Sequence, residues 1–465
     1  MVGVGKITQE TDFIVGNPQI TFFKAVYRRH SHFAIQQKTQ SGDQPNVNGK
    51  EIVYTINDGG GQLLHRCWLE VDLTVTSPDD SDEYMNWTNN TGHAFVEQCK
   101  LKINNNEIDT HSGVWLDVYN ELNDKDELEH FGLNKHAAKN AYLTSSKRLE
   151  PLHMIIPFKF WFNKNPGLAL PLCSIDRASV DFVVKYRKLT HLVNTTNGEI
   201  IPTATDIDDP RVTFFSEIIH LDIDETRRFT QNRHEYLIET LQEKQEDFES
   251  NVRINFSHPV KELVWVIRHG TRFEGTAATA ADAPVDATKN ISYNSNGEPF
   301  NTAANNLLGT AAKITNGNDY FDYSCGSLGG SDGTTAPTPN SVISTHGGNN
   351  IYGNHEQGCE WFNTFQLDIS GETQFDELHA SFLRTSLPAQ YGHKVPNKHV
   401  YCYSFSLNPD EYSPSGVKNL SNSSHQLLRF TNPITVNSDV KITIFAVNYN
   451  IFRIMNGKAA LIFSQ

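Results

Sequence analysis

Alternation of apolar and polar residues with a period of two indicates the fold class of this chain. In the segment WLEVDLTV the apolar residues Leu69, Val71 and Leu73 alternate with acidic and hydroxyl residues. A strand with that pattern lies with one face on a core and the other in water. Similar alternation recurs in CKLKI, PFKFWF, FQLDI, YCYSFSL and VKITIFAV, and Asn456-Gly457 is typical of a two-residue hairpin turn. The sequence therefore predicts an all-β, antiparallel protein.

These segments come in the same order in both halves of the chain. In the first half CKLKI is followed by the turn NNN, the helix-like stretch WLDVYNEL, and PFKFWF, which runs into Asn165-Pro166. In the second half FQLDI is followed by the turn SGE, a short apolar stretch, and YCYSFSL, which runs into Asn408-Pro409. We interpret this order as two copies of one β-domain, and two unrelated β-domains with similar punctuation remain the alternative.

The architecture predicted for each copy is an eight-stranded antiparallel jelly-roll sandwich with short helices and long loops. Short strands with long connections favour a jelly roll over an up-and-down barrel, in which the loops would be short and even. A chain of 465 residues is also too long for one ordinary core. We therefore predict two jelly rolls in tandem.

The predicted domain organisation has an N-terminal arm, residues 1–25, a first jelly roll, 26–214, and a second jelly roll, 215–465. Residues 270–350 are rich in Gly, Ala, Asn and Thr and contain few large apolar residues. Such a composition does not supply a core of its own, so this stretch is predicted to be a long surface loop of the second jelly roll.

Charge and cysteine spacing exclude several classes of protein. The formal net charge of −15 repels phosphate backbones, so no specific nucleic acid is predicted as a partner. The six cysteines lie far apart without a CxxC spacing, which indicates buried thiols in a reduced compartment rather than a disulfide framework or a zinc ribbon. No segment has the pattern of a signal peptide or a membrane-spanning helix, so we expect a chain made without export.

Each candidate catalytic or metal-binding pattern in the sequence lacks a residue that it requires. The pair His30 and His32 has the spacing by which alternate strand residues bind a metal, but no Glu follows within a few residues. The run from Asp58 to Gly61 has the glycines of a phosphate-binding loop but no Lys-Ser or Lys-Thr after it. We therefore predict no catalytic, metal-binding or cofactor-binding residues, no cofactor and no enzymatic activity.

The stretch GNPQITFFKAVYRRHSHFA, which begins at Gly16, resembles the N-terminal signature of the major capsid proteins of nucleocytoplasmic large DNA viruses. The resemblance continues in WLDVYNEL, FWFNKNPGLALPL, LDIDETRRFTQNRHEYLIE, FSHPVKELVWV, SFSLNPDEYSPSGVKNLSN and FRIMNGKAALIFS. These blocks span nearly all of both predicted domains. Ser31 and His32 stand where the family more often has Thr and Asn, which leaves open a pH-sensitive contact at His32.

The resemblance implies a structural major capsid protein with two tandem jelly rolls. It implies a homotrimer that forms a pseudo-hexagonal capsomer, with neighbouring capsomers, minor capsid proteins and the surface of an inner membrane as partners. The expected location is the outer icosahedral shell of the virion, assembled in the host cytoplasm. Three chains with two similar sandwiches each would present six similar blocks around a threefold axis, an outline that can tile a surface.

The opening segment carries the residues that we expect to make inner-face contacts. We predict that Lys24, Arg28 and Arg29 offer cations to minor capsid proteins or to the anionic surface of the inner membrane. The alternative is that these cations pair with carboxylates of the same chain.

Two other classes of function remain as alternatives. One is a sugar-binding jelly-roll protein of the virion, and the other is a metal-dependent oxygenase or isomerase of the cupin type. Exposed aromatic platforms would favour the first, and stoichiometric metal in the purified protein would favour the second.

Overall fold

A computed structural model of the chain describes the greater part of both halves. The described residues are 30–44, 46–56, 61–74, 85–88, 90–123, 152–175, 177–195, 210–269, 291–293, 299–301, 320–321, 323, 360–421, 423, 425–433 and 440–463. Every strand pair between these residues is antiparallel, which confirms the predicted fold class.

The strands of the first half pair with one another and form what we call the first sandwich. They are β1 (Phe33–Gln40), β2 (Glu51–Thr55), β3 (Leu63–Leu73), β4 (Met85–Trp87), β5 (Val96–Ile103), β6 (Asn106–Ser112), β7 (Leu152–Pro157), β8 (Leu170–Pro171), β9 (Val180–Tyr186), β10 (Val193–Thr195) and β11 (Arg211–Leu221). One sheet has the order β1-β11-β3-β7 with β8 beside β3, and the facing sheet has the order β2-β9-β5-β6.

The strands of the second half form the second sandwich in the same way. They are β12 (His234–Asp247), β13 (Asn251–Ile254), β14 (Pro259–His269), β15 (Ile291–Tyr293), β16 (Pro299–Asn301), β17 (Thr364–Ile369), β18 (Glu372–Thr373), β19 (Leu378–His379), β20 (Val400–Ser404), β21 (Lys418–Asn419), β22 (Gln426–Phe430), β23 (Val440–Met455) and β24 (Lys458–Leu461). Its sheets have the orders β12-β23-β14-β20 and β13-β22-β17-β18.

Strand order is identical in the two sandwiches. When the eight strands on these four sheet paths are numbered along each half, both halves have the order 1-8-3-6 in one sheet and 2-7-4-5 in the other. The first and last strands of each half are therefore neighbours, as in two wound Greek keys. The prediction that the chain contains two copies of one β-domain agrees with this connectivity.

Aromatic side chains fill the space between the sheets of each sandwich. In the first sandwich Tyr54 of β2 stacks on Phe214 of β11, with ring centroids 5.0 Å apart. In the second, Trp265 of β14 lies 4.7 Å from Phe365 of β17. Most buried apolar residues of both sandwiches belong to one continuous cluster, so the two cores meet where the sandwiches touch.

Helical segments are short and connect the strands. They are α-helices at Thr91–Phe95, Gly113–Asn123, Trp161–Lys164, Ile223–Gln231 and Leu387–Gln390, a π-helical turn at Phe382–Ser386, and 3₁₀ turns at Pro166–Leu168, Leu172–Ser174 and Leu189–His191. The predicted helix in WLDVYNEL is thus present.

The segment PFKFWF differs from its predicted continuous strand. Strand β7 ends at Pro157, and a helix begins at Trp161. Phe158, Phe160 and Phe162 are nevertheless buried, because the chain folds inward at the end of the sandwich and packs their rings against its core. The alternation correctly predicted which side chains are buried. It did not predict that the segment leaves the sheet after Pro157.

Two findings bear on the predicted domain limits. Strand β11 begins before residue 214 and continues after it. Its residues before 214 pair with β3, and those from 214 onward pair with β1 and β3 of the first sandwich. Within the predicted loop 270–350, Tyr320, Phe321 and Tyr323 are buried rather than at the surface. The loop therefore returns to the core at these three positions.

Candidate functional site

The residues that the sequence predicts as contact sites lie before the first described residue, His30, or close to it. Lys24, Arg28 and Arg29 are outside the described residues, so their role stays a prediction. His30 and His32 are described and exposed, just before β1. In the described ranges no group of three or more His, Cys, Asp or Glu side chains could hold a metal ion. No helix in that part of the chain is long and apolar enough to cross a membrane.

A mostly buried set of polar and charged side chains lies between the two sandwiches, and we call it the junction. It is centred on the helix Gly113–Asn123 of the first half, which we call the junction helix, and on residues 393–398 of the second half. Its members from the two halves are Asp109, Asp117, Glu121, Asn123 and Lys164, and Glu239, Lys261, Glu262, Tyr323, His393 and Lys398.

One face of the junction helix belongs to the core of the first sandwich. Trp115, Val118 and Leu122 recur at i, i+3 and i+7 and are buried, which is the spacing of an amphipathic helix. The hydroxyl oxygen of Ser112 accepts a hydrogen bond from the backbone N–H of Trp115 at 3.2 Å and so satisfies one free donor at the helix start.

The start of the junction helix requires a glycine. A Cβ atom placed at Gly113 would lie 2.3 Å from the carbonyl oxygen of His93 and 2.4 Å from that of Val96. Both neighbours are backbone atoms, which cannot rotate away as a side chain would. Glycine therefore allows the helix to lie against the residues that precede and begin β5.

The opposite face of the junction helix carries polar residues that are also buried. Asp117, Asn120 and Glu121 are spaced i, i+3 and i+4, so they form a second stripe about half a turn from the apolar one. Buried polar groups require partners. For two of these residues, Asp117 and Glu121, the partners come from the second half of the chain.

Asp117 makes the densest set of contacts in the junction. Its Oδ1 accepts hydrogen bonds from Lys398 Nζ and Asn90 Nδ2, each at 2.7 Å, and its Oδ2 accepts one from the hydroxyl of Tyr323 at 2.7 Å. Burial alone raises the pKa of Asp117, but the charge and hydrogen bond of Lys398 more than offset it, so the pKa lies below its ordinary value. The pair is therefore ionised and joins the two halves.

The backbone of the second half is also bonded to the end of the junction helix. The carboxylate of Glu121 accepts a hydrogen bond from the N–H of Asn397 at 3.1 Å. The carbonyl oxygen of Leu122 accepts one from the N–H of Lys394 at 2.6 Å. These bonds fix residues 393–398 against the last turn of the helix.

His393 links the helix end to β14. Its Nε2 lies 3.0 Å from Glu262 Oε2, and its Nδ1 lies 3.0 Å from Asn123 Oδ1. Both ring nitrogens therefore lie within hydrogen-bonding distance of an oxygen, one from each half of the chain. Burial raises the pKa of Glu262, but the charge and hydrogen bond of His393, together with the charge of Lys261, hold that pKa below its ordinary value.

Glu239 on β12 accepts from lysines of both halves. Lys164 of the first half donates to its Oε2 at 3.1 Å, and Lys261 of the second half donates to its Oε1. Lys261 also donates to the carbonyl oxygen of Pro409 at 2.6 Å. Burial raises the pKa of Glu239, and the two lysines outweigh that effect and lower it.

Strand contacts and aromatic packing complete the junction. Asp109 Oδ1 on β6 accepts a hydrogen bond from the N–H of Leu241 on β12 at 3.0 Å. Trp115 of the junction helix lies with its ring centroid 5.1 Å from that of Phe445 on β23. Polar and apolar contacts therefore act together to hold one relative orientation of the sandwiches.

The chemistry of the junction suits positioning rather than reaction. A general base needs a pKa near the working pH, whereas the pKa values of Asp117, Glu239 and Glu262 are all lowered. Burial raises the pKa of the Cys67 and Cys402 thiols, so they are protonated and weak nucleophiles. The lowered pKa values of the three carboxylates favour ion pairs within the junction.

The segment WLDVYNEL predicts the junction helix but not the partners of its polar face. Asp117 and Lys398 are 281 residues apart, so no local spacing connects them. The available signal was the polar stripe of the helix, because acidic residues opposite a full apolar face indicate solvent or a charged partner. That signal could not name the partner.

Family models match both halves of the chain. A model described as "Major capsid protein N-terminus" matches residues 21–222, and one described as "Large eukaryotic DNA virus major capsid protein" matches residues 225–460. The chain belongs to the large eukaryotic DNA virus major capsid protein family. It is a structural protein of the viral capsid, in agreement with the resemblance described above.

Curated capsid proteins align with almost the whole chain. The major capsid protein of Phaeocystis pouchetii virus is 27% identical, with 97% of each chain covered. That of Pyramimonas orientalis virus is 29% identical, with 97% of this chain and 96% of the relative covered. The similarity to capsid proteins therefore extends over both sandwiches and the junction.

Solved capsid structures share the fold. The capsid protein in a quasi-atomic model of the PBCV-1 virus capsid has a TM-score of 0.70 at 24% identity, covering 96% of this chain and 100% of that one. The Faustovirus major capsid protein has a TM-score of 0.66 at 13% identity, covering 96% and 94%. The prediction of two tandem jelly rolls is confirmed by these neighbours and by the strand order.

Proposed function

We propose that three copies of this capsid protein form a capsomer with a nearly hexagonal outline and that such capsomers tile the outer icosahedral shell of the virion. The observation that carries this proposal is the identical strand order of the two sandwiches. Three chains arranged about a threefold axis then present six blocks of one architecture, which approximate sixfold symmetry.

A tile of this kind needs a fixed angle between its two sandwiches. If the sandwiches rotated freely within one chain, the six blocks would not repeat around the axis. The buried pair of Asp117 and Lys398 and the backbone bonds of residues 393–398 supply that constraint. The junction therefore supports the proposal, because it holds the two sandwiches in one relative orientation.

Native mass spectrometry of the purified protein tests the trimer. We expect a dominant species of about three times 52.4 kDa that persists on dilution to micromolar concentration. Interfaces of obligate assemblies bury large apolar areas, so dissociation should require denaturant. A stable monomer or dimer under the same conditions would contradict the proposed capsomer.

We propose the division into domains in a form close to the predicted one. It has an N-terminal arm at residues 1–25 and a first jelly roll from residue 26. The pairing of β11 with β1 and β3 supports an end of that jelly roll after Leu221, seven residues beyond 214. The second jelly roll follows, with most of residues 270–350 as its long surface loop.

We also propose that the capsid assembles in the host cytoplasm.

Inner-face contacts by Lys24, Arg28 and Arg29 remain part of the proposal. Replacing all three with Gln should leave the trimer intact but reduce assembly of shells with minor capsid proteins, because cations that attract anionic partners are lost. Shell yield by electron microscopy and trimer content by native mass measure the two effects separately.

A matched control removes the same charge elsewhere. Lys50, Arg211 and Arg253 are exposed in the first and second sandwiches, and their replacement with Gln also removes three cations. Normal shell yield in the Lys24, Arg28 and Arg29 variant, or an equal loss in both variants, would overturn the proposed contact.

A further inference from the structure

A cavity lies at the side of the junction, and nothing in the capsid role described above uses it. Its volume is about 430 Å³. The first sandwich contributes Lys185, Arg187 and Lys188 to its lining, and the second contributes Glu243 and Arg268. The cavity therefore spans both sandwiches.

The charge of this cavity is opposite to that of the whole chain. Among the described residues of its lining, four Lys and Arg side chains stand against two carboxylates, those of Glu97 and Glu243. Lys185 Nζ donates to Glu97 Oε1 at 2.6 Å, so one carboxylate is already paired. The described lining thus carries two more basic than acidic side chains, in a chain whose net charge is −15.

Two guanidinium groups are held in place there by neutral acceptors. Arg268 is 4% exposed, and its Nη1 and Nη2 donate to the carbonyl oxygen of Tyr320 and the hydroxyl of Thr443, each at 3.2 Å. Arg187 donates from Nη1 to the carbonyl oxygen of Ala94 at 2.6 Å, and its guanidinium carbon lies 4.2 Å from the centre of the Tyr320 ring. These bonds orient the two guanidinium groups at the cavity.

His191, on the edge of the cavity, responds to the same positive field. Burial lowers its pKa, and the charges of Lys188 and Arg187 lower it further. Glu97 acts in the opposite direction, and burial is the largest cause of the shift.

We propose that this cavity is a binding site for a small polyphosphate anion. Guanidinium and ammonium groups bind phosphate oxygens through charge-assisted hydrogen bonds, and Arg presents two parallel donors to them. The volume exceeds that needed for one phosphate group, so a chain of two or three linked phosphates fits the site better than orthophosphate. Because Arg187 and Arg268 come from different sandwiches, the bound anion would join them and stabilise their relative orientation.

Isothermal titration of the intact protein with sodium tripolyphosphate, in a phosphate-free buffer of constant ionic strength, tests the site. We expect one tripolyphosphate per chain, with affinity at least about tenfold higher than that of inorganic phosphate, because more charge-assisted bonds form. Lys188→Gln should weaken tripolyphosphate binding about tenfold, since it removes a charged donor from the rim. Tripolyphosphate should also raise the melting temperature of the unmodified protein.

Control variants separate the site from general charge effects. Lys188 is exposed, so its replacement spares the fold, whereas replacement of the buried Arg268 could disturb it. Lys100→Gln removes one cation from the same sandwich outside the cavity, and it should leave the affinity unchanged. The proposal is overturned if tripolyphosphate does not bind, if Lys188→Gln leaves the affinity intact, or if both variants lose affinity equally.

Discussion

Asp117→Asn should lower the free energy of unfolding by about 3–5 kcal/mol, the cost of leaving one partner of a buried ion pair without the other. The substitution leaves the Lys398 ammonium buried with a neutral amide in place of a carboxylate. We expect a lower denaturant midpoint, and we expect the two sandwiches to unfold in separate transitions once the junction is weakened. Chemical denaturation followed by tryptophan fluorescence measures both effects.

Two controls test the origin of that effect. Glu107→Gln breaks the more exposed pair between Lys100 and Glu107 and should cost about 0–1 kcal/mol. Combining Asp117→Asn with Lys398→Met removes both charges and should recover about 0.5–3 kcal/mol relative to the single variant. If the double variant is no more stable than the single one, the buried charge of Lys398 is not the source of the loss.

Phe182→Ala should destabilise the first sandwich by about 3–5 kcal/mol, because it removes a fully buried ring and leaves a cavity. Phe182 on β9 lies at the centre of an aromatic cluster, with ring centroids 5.1 Å from Phe214, 5.7 Å from Phe160, 6.2 Å from Phe158 and 6.4 Å from Phe162. These rings join the two sheets and the inward-folded segment after β7. Thermal unfolding monitored by circular dichroism measures the loss.

The size of the side chain at position 182 provides the matching test. Phe182→Leu keeps most of the buried volume and should cost clearly less than Phe182→Ala. Ile155→Ala removes an apolar side chain that is 46% exposed on β7 and should change stability by no more than about 0.5 kcal/mol. Equal effects of the three substitutions would contradict a core centred on Phe182.

The sequence predicted what depends on neighbours along the chain. Asn104 and Asn105 have positive φ angles of 52° and 63° at the β5–β6 hairpin, as the turn NNN indicates. Asn456 and Gly457 do the same between β23 and β24, with 55° and 76°. Short-range geometry of this kind is determined by the residues themselves, so turns and the period of two could be read directly.

Structural features that depend on residues distant in the sequence could not be predicted from the sequence. Phe158, Phe160 and Phe162 recur at every second position, as in a strand. Whether a neighbouring strand is there to pair with them depends on the whole fold, so the segment alone cannot predict it. Tyr323 lies in a stretch whose composition predicts a surface loop, but its hydroxyl bonds to Asp117 and it is fully buried. The junction as a whole joins residues from opposite ends of the sequence, and its pairing follows only from the assembled structure.

The shared winding of the two sandwiches is the arrangement that doubling and fusion of one ancestral domain would produce. The junction shows how far the copies have since specialised, because the acid Asp117 belongs to one and the base Lys398 to the other. A chain built from two copies of the first lobe would lack Lys398, and one built from two copies of the second would lack Asp117. The two sandwiches are thus not interchangeable, because each supplies a charge that the other lacks at their contact.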